Sequence, residues 1–154
     1  MEGSEGMRIR SLFEDLFDGN PWLDVTIVAN LCKIDAEMAS SRPLKNCNTI
    51  WEIVNHMISW RENVLRRVNG DELVSPENNY FQEVEDTSED AWVKTVKVLG
   101  QSQQDWMSYL ENVKEEDLAK QYRPNMMDYY KHIHGILQHD AYHLGQIVLL
   151  LKFV

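Results

Sequence analysis

Apolar residues recur at helical spacing along most of this chain, and no stretch alternates as a strand would. The fold must therefore bury helix stripes against one another. Five helical segments are predicted. The first covers 8–17, with Leu12, Phe13, Leu16 and Phe17 on one side, and Gly19-Asn20-Pro21 ends it. The second runs from about Trp22 to Ala39 on Ile27, Leu31, Ile34 and Met38, and breaks at Ser40, Ser41, Pro43 and Asn46. Thr49 and Glu52 form a capping box that opens the third, which stops at Asn69-Gly70. Thr87 and Ser88 cap the fourth, which reaches about Val113 through Trp92, Val96, Leu99, Trp106 and Leu110. The fifth starts near Asn125, with Asp128 completing a second box, and continues to Phe153.

The expected fold is all-α: a four-helix bundle with a long crossover between main helices 2 and 3, plus a short N-terminal helix. The crossover is the 17-residue stretch 70–86, which reaches roughly 55 Å when extended. A 20-residue helix is about 30 Å long. The crossover can span the bundle, so the helices it joins can lie parallel. The 154 residues suit one domain, placed at 8–154, with the Gly- and Glu-rich stretch 1–7 expected as a disordered leader.

Charge narrows the partners. With 25 acidic against 15 basic residues the net charge is -10, which repels nucleic acid on average. Arg61, Arg66 and Arg67 are the nearest thing to a basic patch and read as a solvated helix face. The longest apolar run, near Ile147–Leu151, is too short to cross a bilayer. Cys32 and Cys47 form no C-x-x-C pair and read as reduced thiols. No nucleic acid, no membrane and a cytoplasmic location are expected.

The chemistry lies in the histidines. His139 and His143 stand four apart, so on a helix they share a face and can converge on one ion. Leu144, Ile147, Leu151 and Ile136 mark the sector beside them as core-facing. His56, with Ile53 and Trp60 on its face, also points inward. Buried imidazoles need partners. Either a metal joins the three, or each is hydrogen-bonded separately in the core. His132 shares the face of His139 two turns away and reads as a core or pocket histidine; His134 reads as exposed. Second-rank candidates are Asp140, to orient a histidine; Glu52, to accept a ligand N–H or only to cap; and Gln146, to steady a ring. Tyr142 reads as packing.

The run Gly135-Ile136-Leu137-Gln138-His139-Asp140-Ala141-Tyr142-His143-Leu144-Gly145-Gln146-Ile147 closely resembles the final-helix signature of the DinB/YfiT-like superfamily. Thr49-Ile50-Trp51-Glu52-Ile53-Val54-Asn55-His56 resembles its other metal-ligand helix, and Asn20-Pro21-Trp22 is similar to a segment of one branch. The resemblance implies a bundle with the crossover described above, homodimer formation, and a three-histidine site for one divalent ion, nickel or zinc, on His56, His139 and His143. Trp22 and Trp60 are the residues expected to contact substrate, Trp22 by this analogy alone. The implied activities are hydrolysis and transfer of a low-molecular-weight thiol, because an ion held by three neutral imidazoles with open positions can activate water or a thiol. The rival expectation is a non-catalytic, metal-stabilised bundle for dimerisation or sensing.

Overall fold

The computed structural model describes residues 4–154. The helices, in chain order, are α1 (Glu5–Asp18), α2 (Ile27–Leu31), α3 (Ala36–Ser40), α4 (Ile50–Val68), α5 (Glu89–Asn112), α6 (Glu115–Leu118) and α7 (Tyr129–Leu150). A two-residue antiparallel ladder, β1 (Gln121–Tyr122) with β2 (Met127–Asp128), sits just before α7. The four longest helices, α1, α4, α5 and α7, make the bundle.

Caps decide where the elements begin. Thr49 Oγ1 accepts the Glu52 amide, and Glu52 returns a carboxylate oxygen to the Thr49 amide at 2.7 Å, closing the expected box. Asp128 Oδ1 accepts the Lys131 amide at 2.7 Å and starts α7. Ser4 Oγ accepts from Met7, so α1 starts at Glu5, inside the stretch expected to be a leader; Met1 to Gly3 lie outside the described residues. The segment Trp22–Ala39 differs from expectation. It holds two short helices rather than one long one, because Thr26 and Asp35 each accept an amide three residues on and restart the helix. The first main helix is therefore α1, and the crossover still joins the second and third main helices.

Contacts give the directions. Trp51 of α4 donates to Thr95 of α5, and Trp106 of α5 donates to the Arg61 carbonyl, so α4 and α5 run parallel. The 17-residue crossover makes this possible. Gln103 donates to the Phe13 carbonyl, while a Cβ on Gly6 would stand 2.5 Å from the Leu110 carbonyl oxygen, so α1 runs antiparallel to α5 at very close approach. At the end of α4, Gly70 takes φ +102°, a turn that disfavours a side chain.

The apolar core falls into two clusters. One gathers Trp51, Ile53, Trp92, Leu99, Leu144 and Ile147. The other gathers Phe13, Val64, Trp106, Leu110, Ile133 and Ile136. Among the described residues, no helix is long and apolar enough to cross a membrane.

Candidate metal centre

His56 lies in the first half of α4, and His139 and His143 stand one turn apart on α7. Asp140 of α7 meets Arg61 of α4, and Ile133 and Ile136 share a cluster with Val64 and Val68, so the two helices pass antiparallel. This brings the three rings together. His139 Nε2 stands 2.9 Å from His56 Nε2 and 3.1 Å from His143 Nε2. One ligand atom from each residue lies within 4.8 Å of the others.

Proton placement shows what such a cluster needs. His56 Nδ1 is 2.7 Å from the Asn79 carbonyl oxygen, which only accepts, so Nδ1 carries the proton and Nε2 presents a lone pair. His143 Nδ1 donates likewise to Gln146 Oε1 at 2.7 Å, leaving its Nε2 bare. Both bare nitrogens face His139 Nε2, which has one proton at most. At least one contact therefore sets lone pair against lone pair. A cation among the three removes that repulsion. Bonds near 2 Å to one ion place ligand nitrogens roughly 3 Å apart, close to the spacing found.

Burial strengthens the case. Desolvation, with the other two imidazoles adding to it and the Asn79 bond opposing, lowers the His56 pKa to about 4. Desolvation lowers that of His143 as well, opposed by Gln146. Both rings are held neutral, the form that binds metal. His139 is the open member, with 24% of its side chain exposed.

His139 Nδ1 and Asp140 Oδ1 are both buried without partners, and they stand 3.8 Å apart. When His139 presents its Nε2 lone pair to an ion, Nδ1 carries the proton and faces an idle carboxylate oxygen. The donor set thus fits a divalent ion, and it also contains the acceptor that His139 needs.

Other candidates divide. Gln146 touches the cluster through His143 Nδ1. Trp60 sits beside it, its ring 6.2 Å from that of His139. Glu52 does not reach a ligand: one oxygen holds the Thr49 amide, the other holds Arg42 at 2.6 Å, and its place in the first turn of α4 accounts for both. Trp22 is 97% exposed, in a turn, and stacks on none of the three histidines. His132 is buried, bonded to the Asp128 carbonyl and Asn125, and packed on Tyr122. His134 is half-buried against Tyr130 rather than exposed.

Arg61 lies in the core. It is 1% exposed, not solvated, because it pairs with Asp140 Oδ2 and Gln103 Oε1 and donates to Ser102 at 3.0 Å. The crossover supplies two further parts: the Asn79 carbonyl, and Phe81, stacked on His56 at 3.9 Å and 7°. Asn79 reaches this position with φ 53°, a conformation asparagine tolerates better than most residues, and its side chain accepts the Trp60 indole N–H at 3.0 Å.

No functionally described protein and no solved structure matches the chain. The DinB superfamily profile matches residues 26–147, a span that includes all three histidines. With its helical fold and its three-histidine cluster, the chain belongs to the DinB superfamily.

Proposed function

We propose that this protein is a metal-dependent enzyme acting on a small molecule, with His56, His139 and His143 holding one divalent ion, nickel or zinc. The observation that carries this reading is the meeting of three imidazole nitrogens, two of them bare by their own hydrogen bonds. A divalent ion bound there supplies Lewis acidity and draws the pKa of a bound water or thiol toward neutrality.

The chain's own residues do the rest. The Asn79 carbonyl and Gln146 fix the His56 and His143 tautomers and aim both Nε2 atoms inward. Phe81 covers one face of His56 and keeps water from it. Asp140, paired with Arg61 through one oxygen, keeps the other 3.8 Å from His139 Nδ1, where a small shift of the ring on binding an ion would let it accept that N–H and hold the ring in line. His139 is the exposed side of the cluster, so a small substrate enters past it and Trp60. The reaction is hydrolysis or transfer of a low-molecular-weight thiol to an electrophile, in a cytoplasmic homodimer.

The test is turnover by metal-loaded and metal-stripped protein across thiol transfer and ester, amide and lactone hydrolysis. Activity that appears with metal and vanishes on stripping supports the reading. Silence across the screen at full metal occupancy overturns it and favours a metal-stabilised bundle used for dimerisation or sensing.

A further inference from the structure

The face of α4 that carries His56 continues through Trp60 and Asn63 to Arg67, at the spacing of successive helical turns. Arg67 lies in the last turn of α4 and is half-buried. Its guanidinium lies over two aromatic rings, 5.4 Å from the Trp60 centroid and 5.0 Å from that of Tyr122. One nitrogen donates to Ser75 at 2.9 Å, while Nε is buried with no partner.

No carboxylate of the described residues lies within ion-pairing distance of Arg67. Scarcity is not the cause, since acidic residues outnumber basic ones by 25 to 15. The neighbouring Arg66 has Asp71 at 2.8 Å, and Arg61 has Asp140. A guanidinium drawn partly out of water favours an anion, and its position near the C-terminus of α4 explains a favourable charge there but not the burial of Nε. Asn63, one turn back and buried, also has an unpartnered side-chain oxygen. Trp60 connects this group to the histidines, its ring 5.4 Å from the Arg67 guanidinium and 6.2 Å from the His139 ring.

We propose that Arg67 is an anion-recognition residue of the same site, so that the substrate is a small molecule bearing a carboxylate or phosphate. The anionic group pairs with Arg67 while the reacting end lies at the histidines, and the Trp60 ring flanks the ligand between them. The second half of this statement rests on the metal-centre reading; the first does not.

Two measurements separate them. In the first, metal-free wild type and Arg67→Gln are melted with and without succinate or inorganic phosphate at constant ionic strength. At least one anion should raise the wild-type midpoint more than that of Arg67→Gln, with Arg67→Lys intermediate. Equal shifts in all three overturn the anion site, whatever the fate of the metal. In the second, cobalt-loaded protein is titrated with mercaptoalkanoates of three to six carbons and with the matching mercaptoalcohols, following the thiolate-to-cobalt absorption band. Wild type should prefer the carboxylate by about tenfold at one chain length or more. Arg67→Gln should lose the preference while keeping the alcohol and cobalt affinities. The same preference in both proteins, or none in wild type, overturns the shared site. Absence of cobalt binding defeats the metal reading and the shared site together, and leaves the first measurement to decide the anion site.

Discussion

Arg61 and Asp140 form an ion pair in which each side chain is 1% exposed, and the Asp140 oxygen that Arg61 leaves free faces His139 Nδ1 at 3.8 Å. The pair ties a candidate ligand to the core, because Gln103, the second partner of Arg61, also donates to the Phe13 carbonyl of α1. The carboxylate cannot swing away from His139 without breaking this chain of contacts.

Asp140→Asn keeps the shape but weakens the acceptor. Metal affinity should fall about 10- to 100-fold, as for other carboxylates behind a ligand histidine. Competition against a chelator measures this. Unchanged affinity would make Asp140 a structural residue only.

Arg61→Met leaves a buried carboxylate without its cation and should cost about 3–5 kcal/mol of stability. The double variant Arg61→Met/Asp140→Leu removes both charges and should be more stable than Arg61→Met alone. Denaturant titrations of wild type and variants check the order. A double variant no better than the single one would contradict the account of the pair.

The histidines predict a pH dependence with a defined sign. In the unfolded chain an imidazole protonates near 6.5, whereas His56 is lowered to about 4 by burial and His143 is lowered too. Between those values the unfolded state binds more protons, so stability rises with pH through the window. The metal-free protein should melt at a steady temperature above about pH 7 and at falling temperatures from pH 6.5 toward 4. His56→Gln should flatten part of that fall. An equal slope in both proteins would argue that His56 is not held neutral.

The capping box separates folding from metal binding. Thr49→Ala should cost about 1 kcal/mol of stability, and Glu52→Ala should likewise destabilise while leaving metal affinity unchanged, because Glu52 holds the Thr49 amide and Arg42 and no histidine. A metal affinity that falls with Glu52→Ala would restore it to the site.

Much of this arrangement is legible in the residues themselves. The four-residue spacing of His139 and His143 and the inward face of His56 mark the trio, since helix periodicity alone decides which residues share a face. The 17-residue crossover likewise permits the parallel α4 and α5. Other parts leave no periodic trace. Asn79 and Phe81 act from an irregular stretch, where position depends on local φ values and tertiary contacts. Arg61 does share the helical stripe of Val54, Met57, Val64 and Val68, but a charge there reads as solvated until the facing Asp140 and Gln103 supply its partners. The Trp22–Ala39 stretch carries a helical apolar pattern, yet the caps at Thr26 and Asp35 divide it.

The most direct measurement is metal stoichiometry and affinity in wild type and in His56→Ala, His139→Ala and His143→Ala, each checked for helical content. One nickel or zinc ion should bind per wild-type chain, and affinity should fall about a hundredfold or more in every single variant. Wild-type protein that takes up less than about a tenth of an equivalent, or variants that bind as tightly as wild type, would contradict the three-histidine site.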